Sequence, residues 1–210
     1  MLANRVLAAA GAIFSWAIRE ELLDLPANPC RGVERSPTRS RSRVLQDSEL
    51  RALWPALNSR GLVRATALWV LLLTGQRPGE VLRLRWELIV DGWWHLPGAP
   101  DEARAWPGTK NGHDHRVRLS EPLRALLSEL ETDGREGLVF PNPRGRPYSI
   151  LGDDMRRLCG ELNPEPRVTP HDLRRTHGAT ITRLGLGREA MNRIQNHLDG
   201  GIGSVYDRHS

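Results

Sequence analysis

Between residues 2 and 23, Leu2, Val6, Ala10, Ile13, Phe14 and Ala17 recur at helical spacing, and Pro26 enforces a stop. This predicts an amphipathic helix, which needs a partner for its apolar face. It docks on the body of this chain, or it is the last helix of a domain otherwise absent. A second helix opens at Gln46 or Asp47 with Leu50, Leu53, Trp54 and Leu57 on one side, and Pro55 should bend it or cut it short. From Ala65 to Leu73 only Thr66 is polar, the pattern of a helix buried on every side. That helix is the predicted core of the main domain. Gly75 ends it and Pro78 begins another, which leaves Arg77 at a junction anchored to the core.

After Trp86 the pattern shortens to strand-like pieces, Trp93 to Leu96 and Arg116 to Leu119. Between them Thr109-Lys110-Asn111-Gly112 carries an Asn-Gly turn signal, which puts Lys110 at or beside a hairpin tip. Helical periodicity returns at 122–130, 149–159, 170–184 and 188–196, with Leu138 to Pro141 as a short extended entry. Tyr148, just before one of these helices, is assigned to packing. The elements predict a chain that is mainly α with a small antiparallel β-sheet, an α+β fold.

Composition changes the picture in two respects. The 210 residues suffice for one full core, and the net charge of +5 rests on arginine, because Lys110 is the only lysine. Arginine-rich basicity favours phosphate partners through bidentate pairing, although a solvated basic surface gives the same composition. Residues 28–45 gather Arg31, Arg35, Arg39, Arg41 and Arg43 against Glu34 amid Ser, Thr and Pro. They read as a basic linker able to lie along a nucleic-acid backbone or to do nothing beyond connect. Cys30 and Cys159 are too far apart for a metal motif, which suits a reducing cytoplasm, and no apolar run reaches the ~20 residues of a membrane span.

Candidate chemistry concentrates in Thr169-Pro170-His171-Asp172-Leu173-Arg174-Arg175-Thr176. Thr169 can cap a helix whose first turn holds Pro170, and His171 and Arg174 then share a face three residues apart, as does Arg175 at four. A proton carrier thus stands beside an oxyanion clamp. A surface helix with a stray histidine would look the same in isolation, and an Arg77–Glu80 ion pair pinning two helices would account for Arg77.

Taken in order, Arg77, Lys110, His171, Arg174, His197 and Tyr206 resemble the tyrosine recombinases, the family of phage integrases. Thr74-Gly75-Gln76-Arg77-Pro78-Gly79-Glu80 is similar to the family's first-arginine motif, and His171-Asp172-Leu173-Arg174-Arg175-Thr176 to its His-x-x-Arg box. His197 precedes Tyr206 by nine residues, as in the third motif. The resemblance covers roughly residues 46–206 and implies the family's DNA breaking-rejoining fold. It assigns the clamp to Arg174 rather than Arg175 and leaves His113, His115, His177 and His209 as solvated or structural.

The resemblance also implies roles. Tyr206 attacks a phosphodiester of double-stranded DNA, Arg77 and Arg174 hold the non-bridging oxygens, His171 accepts the phenol proton, Lys110 protonates the leaving 5′-oxygen and His197 donates to the phosphate. A phenol of pKa near ~10 is mostly un-ionised at neutral pH, which is why a base helps. No metal, ATP or other cofactor is required. Arg39, Arg41, Arg43 and Arg175 are further candidate DNA contacts, and a homotetramer on DNA and a nucleoid location are implied. Residues 1–27 are expected to be the last helix of a missing core-binding domain, 28–45 a linker, and 46–210 a catalytic domain with most of its tail absent. The alternatives are a DNA-binding remnant that no longer recombines, or a single-strand relaxing enzyme of the type IB topoisomerase kind.

Overall fold

The computed structural model describes residues 2–37, 41–58, 62–130, 136–148, 151–162 and 167–197; Arg39 and Tyr206 lie outside them. The chain divides into two units, Met1–Arg41 and Ser42–Ser210.

The first unit is one helix, α1 (Leu2–Arg19), and the segment that follows it. The helix stops short of residue 23 because Glu21 turns left-handed at φ 57°. Glu21 N–H then donates to Ile18 O and Leu22 N–H to Ala17 O, which closes the end before Pro26 is reached. The segment beyond is tied back to α1. Asn28 Nδ2 donates to Gly11 O and Ser15 Oγ, each at 2.7 Å, and Asn4 pairs with the backbone of Ser36. Leu2, Val6, Ile13 and Trp16 remain exposed.

The second unit is built around α3 (Leu62–Thr74), where Ala65 to Leu71 are all buried. Burial fades in its last turn: Leu72 is half-buried and Leu73 exposed, so the helix is not enclosed to its end. Packed on it are α2 (Asp47–Asn58), α4 (Pro78–Val81), α5 (Glu121–Ser128) and α7 (Pro170–Arg183), while α6 (Gly152–Leu162) lies against α2 and α8 (Gly187–Ile194) against α7. Pro55 does not cut α2 short. It sits in the last turn, where the helix loses the bond from its missing N–H and crowds the carbonyl of Arg51, yet runs on to Asn58. Arg43 leads into α2 with its guanidinium buried against Glu49, and Leu45 is anchored by its N–H to Thr176 Oγ1 at 3.0 Å. Arg43 is therefore part of a packed anchor rather than a free strap.

The sheet is antiparallel in the order β1 (Ile89–Val90), β2 (Trp93–Leu96), β3 (His115–Arg118). Trp94 and Leu96 face the core opposite Val117, while Arg116 and Arg118 stack over Trp93 on the other face at 4.9 and 5.5 Å. The short β1 turns into β2 through Asp91-Gly92, both at positive φ, the Asp-Gly hairpin signal. Lys110 belongs to the connection between the antiparallel strands β2 and β3. It lies in the returning half of the long connection 97–114, in a turn closed by Gly112 N–H on Thr109 O at 3.1 Å.

Candidate active site

Three chain reversals bring the site together. The first follows α3. Gly75 adopts φ +64°, and a Cβ there would lie 2.3 Å from His177 Nδ1 and 2.9 Å from Gln195 Nε2, so only glycine fits. The chain then runs extended through Arg77, which caps α4, with Pro78 at the first helical position. Glu80 receives both the Arg77 N–H and its guanidinium, each at 2.9 Å, and the other guanidinium arm donates to Asn196 O at 3.1 Å. The ion pair foreseen for Arg77 exists, and it orients the side chain without using all its donors.

The second reversal starts α7. Thr169 N–H and Oγ1–H both donate to Asp172 Oδ2 at 2.8 Å, a capping box that orders the first turn. Asp172 is fully buried, and its other oxygen takes Arg175 at 2.8 Å. That commits Arg175 to the helix end and aims Arg174 inward. Arg174 is only 6% exposed; one arm donates to Gly75 O and the other to Gln195 O at 2.7 Å. Burial, with Arg77 close by, brings its pKa down to about 10, so it keeps its charge at neutral pH. His171, one turn ahead, is lowered by partial burial and then by the arginines at 175 and 174, which favours the neutral, proton-accepting imidazole.

The third reversal is the end of α8. A helix leaves its last carbonyls without intrahelical partners, and here side chains of the site take them one by one. Ile194 O accepts Gln76 Nε2 at 2.7 Å and pairs with His115 Nε2 at 3.0 Å. Gln195 O accepts Arg174 and Asn196 O accepts Arg77. Asn196 itself turns left-handed at φ 50°, and His197 follows with its N–H on Asn192 O at 2.9 Å. The negative end of the helix dipole thus meets two guanidiniums.

Arg77, Lys110, Asn111, His171, Arg174, Asn196 and His197 line one open cleft of about 610 Å³. Five of the six residues singled out in the sequence therefore meet, although they come from four separate stretches of chain. Tyr206 lies outside the described residues, and Arg41 is exposed in the other unit.

Periodicity gave no sign of Gln76, Asn111, His115, His177, Gln195 or Asn196 as parts of this framework. His177 packs under Gly75 with Nδ1 3.3 Å from Gln195 Nε2, and burial first, then Arg174, lowers it to about 4. His115 is also lowered, by burial that outweighs its bond to Ile194 O. Both serve as neutral struts. Only Asn196 carried a readable cue, an asparagine just beyond a helix end, where left-handed backbone is common. Chemically the cleft offers two fixed cations, a neutral imidazole, a lysine and a second histidine, a set suited to a phosphate and its proton transfers.

The family model described as the phage integrase family matches residues 43–210. The ICEBs1 integrase of Bacillus subtilis (strain 168) is 33% identical over 208 residues, covering 87% of this chain and 54% of that protein, so the chain spans about half the length of this curated relative. Among solved structures, a lambda integrase dimer bound to a COC′ core site superposes with a TM-score of 0.70 at 17% identity, over 99% of this chain and 75% of that one. The Tn1549 transposon integrase in complex with circular intermediate DNA gives 0.63 at 17%, over 99% and 74%. These two establish likeness of fold. No helix among the described residues is long and apolar enough to cross a membrane.

Proposed function

The chain belongs to the phage integrase family, and from that premise we propose that it is a site-specific tyrosine recombinase that cleaves and rejoins double-stranded DNA through a 3′-phosphotyrosine. One observation carries the reading. Two guanidiniums, held by Gly75, Gln195, Asn196 and Glu80, share a cleft with Lys110, His171 and His197.

In the proposed reaction the Tyr206 oxygen forms a bond to phosphorus as the bond from phosphorus to the 5′-oxygen breaks. The phenol proton passes to His171, whose lowered pKa keeps it neutral and ready. Lys110 supplies a proton to the departing 5′-oxygen. Arg77, Arg174 and His197 hold the non-bridging oxygens as charge builds on them. Rejoining is the reverse, with a 5′-hydroxyl attacking the phosphotyrosine. Exchange between two duplexes requires four strand cleavages, so we infer that four copies act together on nucleoid DNA.

The test is covalent capture at low salt on a library of nicked duplexes with a randomised core. The wild-type chain should yield an adduct that resists denaturation, and Tyr206→Phe should yield none while still binding DNA. An adduct that persists in Tyr206→Phe would remove Tyr206 as nucleophile, and no adduct across the library would remove the enzymatic reading. Relaxation of supercoils without exchange would favour a topoisomerase.

A further inference from the structure

Lys110 is exposed, and the hydrogen bonds within its own turn are local: Gly112 N–H to Thr109 O, Thr109 Oγ1–H to His113 O at 2.8 Å, and Thr109 Oγ1 to Asn111 Oδ1 at 3.0 Å. Such a turn can hold its shape and still swing as a body. What fastens it across the cleft is a pair of side-chain amides. Asn111 Nδ2 donates to Asn196 Oδ1 at 2.6 Å, and Asn196 Nδ2 donates back to Asn111 Oδ1 at 3.2 Å. The same Asn196 presents its backbone carbonyl to Arg77. One residue therefore holds the Lys110 turn with its side chain, and its main-chain carbonyl receives both Arg77 and, at 3.4 Å, Asn111 Nδ2.

We propose that the Asn111–Asn196 amide pair is a latch that positions the Lys110 turn against the Arg77–Arg174 clamp, and that Asn196 is a positioning residue for protonation of the leaving group. This rests on the recombinase reading above. The backbone at Asn196 supports it independently of that reading. At φ 50° glycine would be the least strained residue, and what asparagine adds there is the amide. Asn196→Gly is therefore a narrow cut: it keeps the backbone conformation and the carbonyl that receives Arg77 and, at 3.4 Å, Asn111 Nδ2, and deletes the two side-chain bonds of the latch.

The chain supplies its own probe of the turn, because Lys110 is the only lysine. Endoproteinase Lys-C, which cuts after lysine, can cleave the native chain only there, at a rate that follows local opening. Losing two amide hydrogen bonds should raise that rate about 10-fold in Asn196→Gly, with the thermal midpoint held near wild type. Asn111→Ala also removes the Oδ1 that accepts Thr109 Oγ1–H and the His113 N–H within the turn, so it should raise the rate at least as far, and adding Asn196→Gly to it should bring no further increase, since the latch is already broken.

Catalysis supplies the second measurement. On an ordinary phosphodiester, Asn196→Gly should form adduct on the order of 10- to 100-fold more slowly, the range expected when a reacting group is misplaced by about an ångström. On a substrate with a bridging 5′-sulfur, which leaves without a proton, the rate should return to within roughly 3-fold of wild type. Unchanged Lys-C cleavage would overturn the latch whatever the enzyme does. Faster Lys-C cleavage with wild-type adduct formation, or equal slowing on both substrates, would overturn its role in leaving-group protonation. A wild-type chain that reacts with neither substrate would instead strike the recombinase reading, and with it the use proposed for the latch.

Discussion

Gly75→Ala tests the way the two arginines are held, and its magnitude can be worked from the structure. A non-glycine residue at φ +64° costs about 1–2 kcal/mol. The new Cβ would also stand 2.3 Å from His177 Nδ1, 2.7 Å from its Cγ and 2.9 Å from Gln195 Nε2. Gln195 is buried with its amide on Arg174 O at 2.9 Å, and the half-buried His177 lies beside it, so any relief has to come from a shift of the imidazole. Overpacking of this kind costs about 1–3 kcal/mol. The sum, about 2–5 kcal/mol, is a large share of the ~5–15 kcal/mol that holds an ordinary domain.

Urea unfolding measures it, as a lower midpoint with an unchanged slope. Repeating the substitution in a His177→Ala background separates the two contributions. With the ring gone, the cost of Gly75→Ala should shrink toward the backbone share of about 1–2 kcal/mol plus what the 2.9 Å approach to Gln195 Nε2 adds. Adduct formation should fall beyond what the unfolded fraction explains, because Gly75 O and Gln195 O are the two acceptors of Arg174. A Gly75→Ala chain within about 0.5 kcal/mol of wild type would refute the packing argument. A cost that is the same with and without His177 would show that the ring is not what glycine accommodates.

Two further predictions follow from charge. His177 sits at about 4 in the folded chain against 6.5 unfolded, so between those values the unfolded chain binds a proton that the folded chain refuses. Stability should drop as pH falls from 6.5 toward 4, by on the order of 2–3 kcal/mol from this residue, and His177→Gln should flatten the pH series of urea midpoints relative to wild type. Glu80→Gln keeps the size of the side chain but removes the only carboxylate Arg77 pairs with among the described residues, and because both Glu80 oxygens accept from Arg77, one of those two bonds is lost with the charge. Thermal midpoints should then be lower without ligand and rise more steeply with added sulfate than in wild type, and parallel sulfate curves would show that the cleft does not bind the anion.

The fold was legible where periodicity and punctuation agreed. Ala65 to Leu73 announced the central helix, Gly75 and Pro78 marked the junction around Arg77, and Thr169 with Pro170 marked the start of α7. Pro55 did not end α2, which runs on to Asn58, because the packing of the helix outweighs one lost bond and one crowded carbonyl, and local sequence does not state that packing. The two-residue β1 was missed because two residues show no alternation, although Asp91-Gly92 announced its turn. Chemistry-bearing residues were legible by type and order. Their supports were not: Gln76, Gln195, Asn196 and His177 act through main-chain carbonyls and buried contacts that join residues from 18 to 119 apart in the chain.

Those carbonyl contacts decide how the cleft treats a phosphate. Arg174 is held by two neutral oxygens, those of Gly75 and Gln195, and Arg77 by one neutral oxygen and one carboxylate. Two full cations therefore face the cleft with one paired anion, the Glu80 carboxylate on Arg77. Had carboxylates filled the carbonyl positions, the guanidiniums would be as well oriented, but their field on an incoming phosphate would be largely cancelled. Helix-end carbonyls orient without neutralising, since each carries only a partial charge. The cost is visible in Arg174, whose pKa is drawn to about 10 by burial and by the like charge of Arg77. That unfavourable proximity is what a phosphate relieves, and relieves most when negative charge on its oxygens is greatest. In the proposed reaction the end of α8 would therefore make the clamp more complementary to the transition state than to the resting phosphodiester, using only groups already held in place.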